Sequence, residues 1–268
     1  MRAPVVVALL VLAAPQTGTT QSAARVAEAV RATPDGWIRF AYETRDGVEI
    51  CPRGIRYGEN RWLWSGRSRG RQAGALDCAP GPAEVELEVR EGTVRRVELV
   101  LAQLAERAEP RDARDIGEVD AAEAAGYLLS LAQGGASSDA AQDALLPAFL
   151  ADVPELWRDL ARLACDRTLA SDVRRSALFW LGQEAASAAT AGIAAVAADE
   201  EEEQEVREAA VFALSQRPPE EGVPILMDLA RSAQQAETRR AAFFWLAQAE
   251  DERVAPFFEE VLLRDPRE

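Results

Sequence analysis

Very few side chains in this sequence could carry bond-making chemistry, and the missing types say more than those present. There is no histidine and no lysine: all 30 basic residues are arginine, set against 45 acids for a formal charge of −15. Without imidazole there is no ordinary general base, no Ser-His-Asp relay and no common zinc site. Ser130 and Ser171 therefore have no histidine to activate them. Without lysine, a Walker-type phosphate loop has no cation. The carboxylates are scattered over what read as helix surfaces, with no marked catalytic pair. The expectation is a non-enzymatic protein with no catalytic residue and no cofactor.

Two charged clusters remain. In Asp199-Glu200-Glu201-Glu202-Glu203-Gln204-Glu205 the acids lead directly into a helix, whose N-terminus favours negative charge. A calcium loop needs oxygens converging around a glycine turn, which is not visible here, so no metal is expected. The other cluster has six arginines between Arg53 and Arg71, with Glu59 as its one acid and Trp62 and Trp64 interleaved. Arginine for phosphates and indole for stacking is a nucleic-acid pattern. Residues 25–101, however, hold 13 arginines against 12 acids, and that balance argues against nucleic acid. A solvated loop complementing the acidic remainder, and a docking surface for an anionic partner through Arg67, Arg69 and Arg71, both stay open.

The start of the chain reads as an export signal over residues 1–24: Arg2, an apolar run from Val5 to Ala14 too short to span a bilayer, then small and polar residues. Export implies a periplasmic or secreted protein, where a disulfide can persist. Cys51 and Cys78 share one β-rich region and are the natural pair; Cys165 ends an apolar helix and is expected to be a small buried hydrophobe.

The elements that position these residues change character along the chain. Residues 25–118 read as a small β-rich domain with a linker. Trp37–Tyr42, Val48–Cys51, Arg61–Trp64, Val85–Val89 and Val94–Leu101 are strand candidates, and Glu91-Gly92 is a hairpin turn. Residues 102–118 are charged, contain Pro110 and read as the linker. From 119 onward the pattern is helical. Residues 102–268 carry 16 arginines against 33 acids, so nearly all the acidity lies there.

The helical half repeats. Val173-Arg-Arg-Ser-Ala-Leu-Phe-Trp-Leu-Gly-Gln183 returns at Val206–Gln216 and again at Thr238–Gln248, in steps of 33 and 32 residues. Leu160, Ile193 and Leu226, and likewise Leu163, Val196, Leu229 and Leu262, keep a 33-residue step for a second helix. One period in two helices marks stacked units sharing an elongated core. The helix over 139–150 is one period earlier, with Pro147 where Trp180 would be, and reads as a degraded copy. Ala121–Gln133 reads as a cap. The fold class is α+β: a small antiparallel β-domain followed by an α-α superhelix over 119–268.

Val-Arg-x-x-Ala with a following aromatic-x-Leu, in an antiparallel helix pair of this length, resembles the bacterial HEAT repeat, including the short kind of phycobilisome-lyase-like proteins. The resemblance implies a ladder in which an Asp ending one second helix meets the next unit's arginine: Asp166 with Arg174 and Asp199 with Arg207, broken before Arg239 because Arg231 stands in the Asp position. Trp180 and Trp245 are expected in a stacked core, with Ala213 making room between them. The resemblance implies a scaffold holding a protein or peptide, with a bias toward basic partners from the acidity, and no small-molecule substrate. One of its branches implies instead a lyase-like accessory acting on a pigment or modified peptide. Partner contacts are expected where copies differ, at Arg175, Glu208 and Arg240.

Overall fold

The computed structural model describes residues 25–51, 54–58, 61–65, 78–100, 112–184 and 186–263. Alternation in Trp37–Tyr42 produces β1 (Gly36–Tyr42), which buries Ile38, Phe40 and Tyr42 on one face. Next come β2 (Val48–Cys51), β3 (Gly54–Tyr57), β4 (Arg61–Ser65), β5 (Ala83–Arg90), β6 (Thr93–Leu99) and β7 (Ala113–Glu118). They form a four-stranded sheet of order β6-β5-β1-β7 and a three-stranded sheet of order β2-β3-β4. The β5–β6 hairpin turns at Glu91 and Gly92, with φ 52° and 71°. Positive φ at both central residues suits the twist of the flanking strands.

Two sequence expectations need correction here. The larger sheet is mixed, because β7 runs parallel to β1, and β7 occupies residues read as linker. Its sequence, Ala-Arg-Asp-Ile-Gly-Glu, has one large apolar residue and no alternation, so its strand character comes from outside. The backbone of β1 pairs with it, and Arg25 donates to the carbonyls of Glu118 at 2.8 Å and Ile116 at 2.5 Å. Residues 102–111 of the expected linker, and Leu101 before them, lie outside the described residues. Within the arginine block, Gly54–Tyr57 forms a strand whose Arg56 pairs with Glu49 across the β2–β3 ladder. Arg67, Arg69 and Arg71 lie outside the described residues.

Cys51 and Cys78 are joined, closing 27 residues of sequence separation. Beside them Ile50 and Ala79 exchange both backbone hydrogen bonds, at 2.9 and 3.2 Å. Cys165 departs from expectation: it is exposed at a helix end rather than buried.

The helical part begins with α1 (Arg25–Arg31), which buries Val26, Ala29 and Val30. It continues with α2 (Ala121–Ser130), capped by Asp120, and a wide turn over Leu131–Gly135. The helix expected over 139–150 is broken into α3 (Ser138–Asp143) and α4 (Leu145–Leu150). Pro147 has no N–H for the Asp143 carbonyl, so the ladder fails there. Then follow α5 (Leu156–Cys165), α6 (Ser171–Gln183), α7 (Ala188–Ala198), α8 (Gln204–Ser215), α9 (Pro219–Ser232), α10 (Ala236–Leu246) and α11 (Val254–Leu263). The pairs α6/α7, α8/α9 and α10/α11 are the three copies. Leu160, Ile193, Leu226, Leu163, Val196 and Leu229 are buried as the period demands. Leu262, in the same register, is 80% exposed, since no described helix stacks on α11.

Sheet and helices share one core. Tyr42 Oη donates to the Pro147 carbonyl at 2.6 Å, and that burial raises the Tyr42 pKa well above the ordinary phenol value. Thr44 bridges to Ala151, and the Tyr57 ring meets Phe149 edge-on at 5.6 Å. Arg45 reaches from the β1–β2 turn, stacks 4.3 Å above Phe149 and pairs with Glu184 at the end of α6 at 2.7 Å. The sheet, together with α2, covers the end of the array that α2 alone was expected to cap.

Close approach of helices rests on glycine at two points. A Cβ on Gly182 of α6 would sit 3.0 Å from the Ala213 carbonyl oxygen, and one on Gly222 of α9 would strike the Leu214 carbonyl oxygen. Helix propensity alone favours alanine over glycine by about 1 kcal/mol. Gly222→Ala is nonetheless expected to lower the unfolding free energy in urea by about 1–3 kcal/mol, the range for overpacking. A gain in stability would show that the α8–α9 corner yields.

Candidate functional site

Helices α6, α8 and α10 are the first helices of the three copies and lie side by side. Each sends Val or Thr, Ala and Leu inward: Val173, Ala177 and Leu181; Val206, Ala210 and Leu214; Thr238, Ala242 and Leu246 are all buried. The residue seven places into the motif is phenylalanine in every copy. Phe179 and Phe212 are half-buried, and Phe244 is 56% exposed. Phe179 stacks on Phe212 at 6.2 Å, Phe212 meets Trp245 at 4.8 Å, and Trp245 meets Phe244 edge-on at 5.0 Å. Trp180 and Phe149 extend this row to the sheet, with 4.8 Å between Phe179 and Trp180 and 5.1 Å between Trp180 and Phe149. The result is an aromatic row crossing the first-helix face from sheet to array end.

Trp180 is buried, as a stacked core residue should be, whereas Trp245 is only half-buried. Ala213 does not separate the two tryptophans as expected. It lies against Gly182, where it lets α6 and α8 approach, and Phe212 is the side chain between Phe179 and Trp245.

Between α8 and α10 the row opens into a hollow of about 490 Å³ floored by Phe212, Phe244 and Trp245, with Glu208, Glu237 and Arg240 on its walls. Glu208 and Arg240, singled out because the copies differ there, are thus brought to one site. Glu208 accepts from the Gln204 side chain at 2.8 Å. Arg175 is one helix earlier and is held by Asp172 at 2.9 Å and by Glu205 of the next copy at 2.7 Å. The sequence reading missed Phe212 and Phe244 as surface residues. Their signal was there: a phenylalanine in all three copies at a position the core does not need.

The arginines at the second motif position act differently from the expected ladder. Arg174 is fully buried and grips the Glu202 carboxylate with both terminal nitrogens, one at 2.9 Å, while its Nε donates to the Ala164 carbonyl at 3.2 Å. Asp166 instead accepts from the backbone and hydroxyl of Thr168, and these bonds, with a smaller pull from Arg174, lower its pKa. Asp199 pairs with Arg167, which lowers its pKa. Arg207 donates to the Glu202 carbonyl and to Thr238 Oγ1. Arg239 donates to the carbonyls of Ala233 and Gln234, at 2.6 and 2.7 Å. Arg207 and Arg239 therefore cap loop carbonyls five or six residues back, and Arg174 alone of the three makes a buried carboxylate pair. Arg231, expected to break the ladder, turns to Glu260 at 2.8 Å and lies 4.8 Å above Phe257. Desolvation pushes the Glu202 carboxyl up, but hydrogen bonds from Arg174 and the Glu203 N–H, with the charges of Arg174 and Arg167, outweigh it and hold the pKa below the usual Glu value.

Cys165 is the free cysteine among the described residues. Desolvation of the sulfur, aided by Glu202 and Asp199, raises its thiol pKa despite an opposing pull from Arg174.

Fold and surface together define a short helical-repeat solenoid with a mixed sheet built onto its first units. The family model for HEAT repeats matches residues 166–243 and 193–268, which is the stretch holding the three copies. Among curated proteins, none matches the chain.

Proposed function

We propose that this protein is a non-enzymatic scaffold that holds an extended polypeptide segment of a partner across the first-helix face. The observation that carries this is the aromatic row: phenylalanine at one motif position in three copies, half-buried in the first two and exposed in the third, ending in a charged-rimmed hollow. Partly exposed aromatic side chains ringed by polar groups are what polypeptide-binding surfaces use as anchors. HEAT repeats support an interaction role of this kind. Close helix approach at Gly182 brings α6 and α8 together beside this face. The excess acid of the helical half favours a basic partner and salt-sensitive binding.

The proposed setting is an oxidising compartment reached by export, periplasmic or secreted. Its support is the Cys51–Cys78 bond and the apolar run from Val5 to Ala14. Among the described residues no helix is long and apolar enough to cross a membrane.

Crosslinking and mass spectrometry from native cells should recover one dominant partner, and Phe212→Ser/Phe244→Ser should cut its yield at least tenfold while leaving the circular-dichroism spectrum unchanged. Equal recovery with the folded double variant would remove the first-helix face from the interaction.

A further inference from the structure

A second opening lies on the same face where the sheet meets the solenoid. It is a cleft of about 400 Å³ between β6, the α3–α4 break and α6. Its floor is apolar: Val97 from the strand, Leu146 and Pro147 from α4, and the indole of Trp180. Its rim carries two carboxylates from different elements, Glu98 of β6 and Asp143 at the end of α3. Arg96 is 3.4 Å from Glu98; at Asp143, burial first and then the charges of Asp139 and Glu98 raise the carboxyl pKa, against a smaller pull from Arg96. Trp180 also belongs to the aromatic row, so the cleft continues the surface described above.

A long apolar floor, an indole wall and two acids at the mouth match one kind of side chain: an aliphatic stem ending in a cation. Guanidinium suits this site better than ammonium, because its plane stacks on indole and its fork meets a carboxylate with two parallel bonds. We infer that this cleft receives an arginine side chain of the partner polypeptide, its stem along Leu146, Pro147 and Trp180 and its guanidinium between Glu98 and Asp143. The sheet and the solenoid then read the partner jointly, the cleft taking the arginine and the hollow an apolar residue. Neighbouring helix axes lie about 8–10 Å apart, so the α6 cleft and the hollow between α8 and α10 are separated by roughly 15 Å. An extended chain at about 3.3 Å per residue puts the two anchor residues about four or five positions apart.

This inference rests on the reading of the first-helix face as a polypeptide surface, and its test is kept separate from that one. Acetyl-arginine-amide is titrated into the full chain at low salt and followed by amide chemical shifts, with acetyl-citrulline-amide as the neutral isostere. The expected result is saturable shifts at Val97, Glu98, Asp143 and Ser176, with citrulline at least tenfold weaker. Glu98→Gln/Asp143→Asn should abolish the difference between the two probes, and Phe244→Ser should leave it intact. Equal affinity for arginine and citrulline, or shifts confined to the hollow, would overturn the inference. Arginine binding in the cleft alongside unchanged partner capture by Phe212→Ser/Phe244→Ser would instead refute the wider surface reading and leave the cleft standing.

Discussion

Replacing Arg174 with alanine is expected to lower the unfolding free energy by about 3–5 kcal/mol, the range for removing one partner of a buried ion pair. Arg174 has no exposed surface, and Glu202 is 7% exposed. Alanine would leave that carboxylate buried with its strongest donor gone, and the Ala164 carbonyl would lose the Nε bond as well. The cost comes from the stranded charge more than from a large net worth of the pair. Arg174→Met/Glu202→Leu should therefore recover most of the loss, to within about 1 kcal/mol of the parent. Urea unfolding at neutral pH, followed by tryptophan fluorescence, measures both. A loss under 1 kcal/mol in the single variant would mean that water reaches and screens the pair.

The same pair sets a direction for pH. The folded Glu202 pKa lies below its unfolded value of about 4.3. Its contribution is thus fully present above that value and is lost as pH falls through the lower, folded one. Glu221 adds to the effect in the same window. Hydrogen bonds from Ser187, Thr190 and Arg217 hold its pKa down at about 2.

Opening the Cys51–Cys78 bond is expected to have the second large effect. A crosslink closing a loop of this length, 27 residues apart in sequence, restricts the unfolded chain by about 3.5 kcal/mol on the loop-entropy relation. In a chain of this size that corresponds to roughly 6 °C in melting temperature. The bond also holds Ala79 beside Ile50 and so anchors β2 to the strand region that follows. Scanning calorimetry of the parent and of Cys51→Ser/Cys78→Ser should show this difference. Reductant should lower the parent toward the variant and leave the variant unmoved. Thiol titration of the unreduced, denatured parent should find one reactive group, Cys165, and three after reduction. Coincident melting of the two proteins would show that the crosslink does not constrain the unfolded chain.

The repeats were legible because the sequence states them several times. Val173, Ala177 and Leu181 return as Val206, Ala210 and Leu214, and every one of these is buried. Helix bounds from Ser171 to Leu263 follow from that period almost residue for residue. The ladder was less legible, because a repeat register describes what is common to the copies. Glu202 has Leu169 and Gln234 as its counterparts one period either side, so no periodicity could pair it with Arg174. Asp166, with Thr168 two residues on, had a nearer donor than the arginine assigned to it. β7 was illegible for a different reason: its residues have little strand preference, and the edge of β1, with Arg25, recruits them. For the candidate site, Glu208 and Arg240 could be picked out by their variation between copies. The floor beneath them was hidden in plain repetition, since Phe179, Phe212 and Phe244 looked like more core.

The shared core between sheet and solenoid has a consequence for how the array comes apart. A free-standing stack of units frays from both ends. Here one end is sealed by Tyr42, Tyr57 and Arg45 against Pro147, Phe149 and Glu184. At the other, among the described residues, Leu262 and Leu263 of α11 face solvent. Among the described residues, loss of structure is therefore expected to run inward from α11, with backbone amide exchange fastest there. The hollow between α8 and α10 sits on the side that loosens first, and the arginine cleft sits on the side that holds longest. A partner chain bridging the two would tie the loose end to the fixed one, and its arrival would be felt as tightening along the whole row of aromatic rings.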